Sequence, residues 1–228
     1  MTLDWDRVAA ELDAHGCAVV PELVAPDGCA ALAAAWDDDR LFRSRVIMAR
    51  HNFGRGEYRH FAYPLPQAVQ ALRTGLYPAL AAIANRWNAA LGIAGRFPDT
   101  LDALLARCRA QGQTRPTPLL LRYEAGDYNC LHQDLYGDLA FPLQMTVLLS
   151  QPGRDFTGGE FVLTEQRPRM QSRAEVVPLA QGDAVIFPAH HRPARGARGW
   201  YRAVMRHGVS RLRSGRRHCL GIIFHDAR

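Results

Sequence analysis

His132 and Asp134 are the residues of this 228-residue chain whose types and spacing could do metal chemistry. They follow a strand-like apolar pattern, and in an extended chain residues two apart point to the same side. Both side chains can therefore reach one ion while Gln133 points away. One more histidine would complete a two-histidine, one-carboxylate face, which suits non-haem Fe(II) and leaves positions open for a 2-oxo acid and dioxygen.

Three later histidines could supply the third ligand: His190, His191 and His207. His207 is favoured because a basic residue, Arg217, follows ten positions on. The two could occupy neighbouring strands after a turn at Ser214–Gly215, where the guanidinium could bind the far carboxylate of a 2-oxo dicarboxylic acid. His190 and His191 have no such partner, and we interpret them as part of a loop.

Arg216 competes with Arg217 for this anchoring role. On a strand, only one of two consecutive residues can face the interior of a barrel. Arg217 shares its face with Cys219, Gly221 and Ile223, which are small or apolar enough to line a core. The alternation therefore predicts that Arg217 points inward and that Arg216 is a solvated surface charge.

The first part of the chain, residues 1–112, is predicted to be a mainly helical support region. Its apolar residues recur at helical spacing in four stretches. The predicted helices cover residues 2–14, 26–37, 67–91 and 99–110. Thr2 would cap the first helix, and Pro78 would kink or split the third.

Beyond about residue 113, short apolar runs alternate with glycine and proline turns, as in a β-sandwich or barrel. The intervening segment Arg50–His60 is polar, aromatic and glycine-bearing, which predicts a surface loop. The predicted fold class is therefore α+β. We expect a helical region over 1–112 and a β core over 113–228 within one compact domain.

The composition limits the partners and the compartment. The net charge is +6, and because the chain contains no lysine all 28 basic residues are arginine. This basicity is compatible with nucleic acid, although the arginine-only, alanine-rich composition also indicates a genomic bias. Five cysteines without a C-x-x-C pair argue against a disulfide framework or a zinc knuckle. No membrane-spanning run or signal peptide is recognisable, so we expect a cytoplasmic protein.

Two stretches around the candidate residues resemble known oxygenases. Arg122–Asp134 (R-Y-E-A-G…L-H-Q-D) resembles the corresponding segment of AlkB-type nucleic-acid repair dioxygenases. His207–Arg217 (H-G-V-S…G-R-R) is similar to the ending of prolyl-hydroxylase-like members of the same superfamily. With Gly56–Tyr58 and Phe61–Pro64 upstream, nearly the whole chain resembles a bacterial oxygenase family described as acting on damaged nucleic acids.

The resemblance implies a double-stranded β-helix, or jelly-roll, backed by the N-terminal helices. It implies that His132, Asp134 and His207 hold Fe(II), and that Arg217 binds the distal carboxylate of the cosubstrate 2-oxoglutarate. Tyr123 matches an AlkB-type tyrosine that contacts the cosubstrate. The implied activity is an Fe(II)- and 2-oxoglutarate-dependent dioxygenase that uses dioxygen for oxidative demethylation of alkylated DNA or RNA, as in DNA repair.

The chain also departs from the AlkB pattern. AlkB-type enzymes carry an asparagine where Leu121 stands, and their interval between the last histidine and the arginine is longer. The short interval from His207 to Arg217 suits the alternative, a hydroxylase of a small molecule or a protein side chain. A complete triad disfavours a non-catalytic barrel, and Asp134 in place of a third histidine disfavours a cupin-like barrel with another metal.

Three residues are candidates for contact with the primary substrate: Tyr136, Tyr58 and Asn52. Tyr136 stands just past the metal motif and is expected to line the pocket. The segment Arg50–His60 combines aromatic residues with arginines, which could stack a base and contact phosphates. The other interpretation of this segment is an ordered connector packed on the barrel.

Overall fold

The structure is a computed structural model that describes residues 3–197 and 199–228. The helices are α1 Trp5–His15, α2 Pro26–Ala34, α3 Gln67–Ala90 and α4 Leu101–Ala110. The strands are β1 Ala18–Val20, β2 Phe42–Ile47, β3 Gly54–Arg55, β4 Glu57–Phe61, β5 Leu119–Glu124, β6 Tyr128–His132, β7 Leu143–Leu148, β8 Phe156–Gly158, β9 Phe161–Gln166, β10 Arg173–Val177, β11 Ala184–Pro188, β12 His191–Gly196, β13 Gly199–Val209 and β14 Leu212–Ile223.

The strands form two antiparallel sheets. The larger sheet has the order β1-β11-β7-β14-β5-β4-β2, with β8 beside β14. The smaller sheet has the order β10-β9-β13-β6-β3, with β12 beside β13. The helices pack on the larger sheet through residues such as Leu120, Val147 and Leu220, while its other face meets the smaller sheet. The expected α+β class with a jelly-roll core is confirmed.

The helices differ in detail from the predicted ones. Helix α1 begins at Trp5, where the Asp4 carboxylate accepts a hydrogen bond from the Arg7 amide at 3.0 Å. Thr2, the predicted cap, lies outside the described residues. Pro78 lies inside α3 without splitting it, so the predicted split is wrong. The flanking side chains Tyr77 and Leu80 are fully buried, and this packing outweighs the hydrogen bond that a proline removes.

The N-terminal region contributes strands to both sheets. The surface loop predicted for Arg50–His60 is wrong, because β3 pairs with β6 and β4 pairs with β5. The glycines that suggested a loop instead permit close approach of these strands. A Cβ on Gly56, at φ +125°, would lie 2.8 Å from the Tyr123 ring, and one on Gly54 would lie 2.4 Å from the Tyr128 carbonyl oxygen.

His207 lies on β13 in the smaller sheet, and Arg217 lies on β14 in the larger sheet. The prediction that these two residues occupy neighbouring strands is therefore wrong. The predicted turn at Ser214–Gly215 lies inside β14, which begins at Leu212. Gly215 has φ +78°, and a Cβ there would lie 2.0 Å from the Asp155 carbonyl oxygen. This glycine therefore lets β14 pass close to the segment before β8. The side chains of His207 and Arg217 both line the space between the two sheets.

Among the described residues, no helix is long and apolar enough to cross a membrane.

Candidate active site

Two imidazoles and one carboxylate converge between the sheets. The candidate ligand atoms of His132, Asp134 and His207 all lie within 4.8 Å of one another. Asp134 Oδ2 is 3.1 Å from His207 Nε2, and Asp134 Oδ1 is 3.7 Å from His132 Nε2. His132 and His207 are direct partners in the pairing of β6 with β13, which explains why residues 75 positions apart in sequence meet. This donor set fits Fe(II).

Hydrogen bonds orient the members of this cluster. His132 Nδ1 lies 2.7 Å from the Cys130 carbonyl oxygen, which accepts its proton and leaves the Nε2 lone pair facing Asp134. A backbone carbonyl on the second ring nitrogen is the usual arrangement for a histidine that binds a metal. The Tyr136 hydroxyl donates to Asp134 Oδ1 at 3.0 Å. One oxygen of the carboxylate is thus fixed while the other faces His207.

The surroundings of His132 and Asp134 favour the protonation states that a metal requires of these two residues. Burial and the neighbouring His207 lower the pKa of His132, which favours its neutral form. Burial alone would raise the pKa of Asp134, but the hydrogen bond from His207 and the nearby histidines hold it well below its ordinary value. Burial and the Asp134 charge raise the pKa of Tyr136, so this hydroxyl keeps the proton that it donates.

The cluster opens into a cavity of about 230 Å³ between the two sheets. Its wall includes inward-facing residues of both sheets together with the segment that follows β6. The predicted face of β14 is confirmed as part of this wall, since Arg217, Cys219, Gly221 and Ile223 all line the cavity. Chelation of a small acid next to a bound ion is therefore sterically possible here.

Arg217 is a buried cation on this wall. Its exposure is 2 %, and its Nε has no hydrogen-bond partner among the described residues. The guanidinium carbon lies 5.7 Å from the centre of the Tyr123 ring and 5.8 Å from that of Phe156. Arg216, by contrast, is exposed and pairs with Glu124 at 3.2 Å. A buried charge normally requires a partner, so Arg217 marks a place for an anion.

Tyr123 lies fully buried beside this arginine. Strand register pairs it directly with Arg217, and its hydroxyl accepts a hydrogen bond from Asn129 Nδ2 at 3.3 Å. Burial raises the pKa of Tyr123, so the hydroxyl remains protonated and can donate to an anion held by Arg217. The structure therefore places both predicted cosubstrate residues on the cavity wall.

The predicted substrate residues fall in two groups. Tyr58 and Tyr136 line the cavity. Asn52 does not belong to the lining; at φ +59° it ends the short 3₁₀ helix before β3. Its neighbour Phe53 takes that place, lining the cavity with 47 % of its surface exposed. Phe53 belongs to the segment Arg50–His60, whose aromatic residues were predicted to be able to stack a base, but it is not among the three predicted substrate residues.

Two further lining residues, Asn129 and Gln144, were also missed. Asn129 precedes His132 by three positions, where strand alternation does not predict a shared face. Gln144 had a recognisable signal, because with Thr146 it interrupts the apolar run of β7 at alternate positions. Polar residues at period two inside a buried strand indicate a face that meets a polar ligand rather than a core.

A jelly-roll that brings two histidines and an aspartate to one cavity defines the class of metal-dependent oxygenases. Residues 56–227 match the model of a family described as "Oxygenase, catalysing oxidative methylation of damaged DNA". The chain belongs to this oxygenase family, as the resemblance in the sequence predicted.

Related sequences and solved structures are consistent with this assignment. Two uncharacterised proteins from two strains of Mycobacterium tuberculosis are each 52% identical over 167 residues, which cover 73% of this chain and 72% of each relative. A 2OG-Fe(II) oxygenase-family oxidoreductase from Burkholderia pseudomallei aligns with TM-score 0.54 and 19% identity, covering 100% of this chain and 94% of its own. A Pseudomonas putida prolyl-4-hydroxylase aligns with TM-score 0.52 and 15% identity, covering 95% and 96%. The two structural likenesses establish the fold.

Proposed function

We propose that the protein is an Fe(II)- and 2-oxoglutarate-dependent dioxygenase that demethylates alkylated nucleic acid. The observation that supports 2-oxoglutarate as the cosubstrate is the environment of Arg217. Its guanidinium is buried without an acidic partner in the described chain, and it lines the same cavity as the His–Asp–His cluster. A dicarboxylic 2-oxo acid has a 2-oxo acid group that can chelate a metal at the His–Asp–His cluster and a second carboxylate that can pair with Arg217. Arg217 would hold its distal carboxylate in a charge-assisted pair, with the Tyr123 hydroxyl as a second donor.

His132, Asp134 and His207 would hold the iron. When bound, Fe(II) with 2-oxoglutarate and dioxygen supplies hydroxylation of a C–H bond, coupled to decarboxylation of the cosubstrate to succinate. On an N-methyl group the hydroxylated carbon leaves as formaldehyde, and the nitrogen recovers its proton. The protein's own contribution is orientation. Cys130 and Tyr136 fix the ligand side chains, and the cavity wall excludes bulk water.

The cavity mouth supports a nucleic-acid substrate. Phe53 is exposed there and stacks on His51, with ring centroids 5.4 Å apart and planes 22° from parallel. Arg50 and Arg55 are exposed on either side of this pair in sequence. Aromatic surfaces beside arginines stack unpaired bases and attract phosphates. Leu135, 54 % exposed, adds an apolar surface at the same mouth.

The direct test is mass spectrometry of methylated oligonucleotides. The Fe(II)-loaded protein is incubated with 2-oxoglutarate and single strands that carry 1-methyladenine or 3-methylcytosine. We expect the loss of one methylene mass, dependent on both iron and 2-oxoglutarate, and no loss with Asp134→Ala or His207→Ala. Full activity in both variants would refute the assigned iron site.

The mouth is tested by a matched pair of aromatic substitutions. Phe53→Ala should weaken oligonucleotide binding by about 1–3 kcal/mol, the contribution of one stacked base. Trp200→Ala removes an aromatic that is 51 % exposed and does not line the cavity, so it should leave binding unchanged. Binding should also fall steeply with added salt as counterions are released.

The alternative is hydroxylation of a small molecule or protein side chain at the same iron site. The short interval between His207 and Arg217 favours it. This alternative predicts slow conversion of 2-oxoglutarate to succinate without any mass change in the oligonucleotides. It also predicts that substrate binding responds little to salt.

A further inference from the structure

Gln144 is a buried amide on the wall of the same cavity. It is the second residue of β7 and is 3 % exposed, and its Nε2 has no hydrogen-bond partner in the described part of the chain. Buried polar side chains are nearly always paired, because desolvation without a new hydrogen bond is unfavourable. An unpaired donor on a cavity lining indicates that a bound ligand completes it.

The neighbours of Gln144 offer no polar partner. Strand register places Phe187 of β11 on one side and Ile223 of β14 on the other. Both present hydrocarbon surfaces to the cavity. The partner of the amide must therefore come from the cavity itself.

Three other polar side chains on the wall, Thr146, Asn129 and Gln133, donate hydrogen bonds within the described chain. Thr146 donates to the Leu220 carbonyl oxygen, and Asn129 Nδ2 donates to the Tyr123 hydroxyl. Gln133 Nε2 donates to backbone carbonyl oxygens at 2.9 and 3.1 Å. Gln144 thus differs from the other carboxamides of the lining, and it shares the lack of a partner with the buried Arg217.

Gln144 and Arg217 lie toward opposite ends of the cavity. Ile223, the strand partner of Gln144, follows Arg217 by six positions, which is about 20 Å of extended chain. Phe187, on the other side of Gln144, has its ring centroid 4.7 Å from that of His207. Gln144 is therefore at the metal end, and Arg217 is at the far end.

We propose that Gln144 donates a hydrogen bond to the carboxylate next to the ketone of 2-oxoglutarate, while Arg217 holds the distal carboxylate. This inference rests on the proposed function. Chelation through the 2-oxo acid group uses one oxygen of that carboxylate and leaves the other as a charged acceptor, which makes a strong hydrogen bond. The cosubstrate has a carboxylate at each end, and the cavity has an unpaired hydrogen-bond donor toward each end, Gln144 Nε2 and Arg217 Nε.

The test compares Gln144→Met, which keeps the side-chain length and removes the N–H, with Gln181→Met. Gln181 Nε2 donates to the Leu149 carbonyl oxygen at 2.8 Å and does not line the cavity. 2-Oxoglutarate is titrated calorimetrically into the Fe(II)-loaded protein under anaerobic conditions. We expect Gln144→Met to weaken binding about tenfold or more and Gln181→Met to leave it unchanged.

Two further measurements separate binding from folding. The ligand-free Gln144→Met protein should unfold at the same or a higher temperature than the wild type, because the substitution removes an unpaired buried donor. 2-Oxobutyrate shares the 2-oxo acid group but lacks the distal carboxylate. Gln144→Met should weaken both ligands by the same factor, whereas Arg217→Met should weaken only 2-oxoglutarate.

Unchanged 2-oxoglutarate affinity in Gln144→Met would overturn the inference. The Gln144 amide would then be a candidate contact for the primary substrate instead. A loss for 2-oxoglutarate without one for 2-oxobutyrate would also overturn it. If the wild-type protein binds no 2-oxoglutarate at all, the proposed function itself fails.

Discussion

Acid should destabilise this protein through two buried neutral histidines. Burial, and then the charge of a nearby arginine, lowers the pKa of His60 and of His225 from 6.5 to about 4. His225 is fully buried, and its Nδ1 accepts a hydrogen bond from the Phe141 amide at 3.1 Å. Protonation of that nitrogen would remove the acceptor. The folded state therefore holds both rings neutral at a pH where the unfolded chain binds protons.

This difference in proton binding determines both the sign and the size of the change in folding stability with pH. As the pH falls below 6.5 the unfolded state gains protons first, so stability decreases until about pH 4, where the folded state also titrates. Between pH 8 and pH 5, each histidine lowers the free energy of unfolding by about 2 kcal/mol, and the two together lower it by about 4 kcal/mol. That is a large share of the roughly 5–15 kcal/mol that stabilises a typical domain.

The assay is urea unfolding followed by circular dichroism from pH 8 to pH 5, with a chelator present to remove metal. His225→Asn keeps an acceptor oxygen for the Phe141 amide and removes the titration. The variant should lose about 2 kcal/mol less than the wild type over this range, whatever its stability at pH 8. His15→Asn, at an exposed site, serves as the control. A wild-type pH dependence in His225→Asn would refute the reasoning.

Three other perturbations have definite expected outcomes. Tyr136→Phe removes the hydrogen bond to Asp134 and should weaken Mn(II) or Fe(II) binding about 10–100-fold by titration; unchanged affinity would mean that the hydroxyl does not position the ligand. Arg217→Met should abolish the rise in melting temperature that 2-oxoglutarate gives the iron-loaded protein, and a retained rise would exclude Arg217 as the anchor. Asp226→Ala leaves the fully buried Arg73 without its carboxylate and should cost about 3–5 kcal/mol in urea unfolding; a loss below about 1 kcal/mol would show that backbone carbonyls suffice.

Local geometry predicted only part of the candidate metal cluster, the pair His132 and Asp134, whereas His207 was selected by its interval to Arg217 and by the family resemblance. His132 and Asp134 share a side of an extended segment, and alternation along β14 predicted that Arg217 points inward and Arg216 outward. These arguments need only the period of a strand. The functional roles of Arg217 and Tyr123 stay predictions, with both side chains on the cavity wall.

The remaining features depend on which strands become neighbours, and alternation does not specify that. His207 and Arg217 line one cavity from two different sheets rather than from neighbouring strands of one sheet, because β14 continues through the predicted turn at Gly215. Strand β4 was not predicted because Gly54 and Gly56, which the strands need for close packing, give this segment a composition that is typical of a loop. The period of β7 marks Gln144 as facing the cavity, but its lack of a polar partner becomes visible only when the register of three strands shows that its neighbours are apolar.

The pairing of β1 with β11 has a consequence for how the chain is made. The Glu22 amide, just after β1, donates to Asp183 at a separation of 161 residues. A ribosome adds about 5–20 residues per second, so roughly 8 to 30 s pass between the synthesis of these two partners. During that interval the apolar strand Ala18–Val20 has no neighbour in its sheet. The strand Ala18–Val20 therefore cannot complete its pairing until the ribosome has added β11, more than 160 residues later.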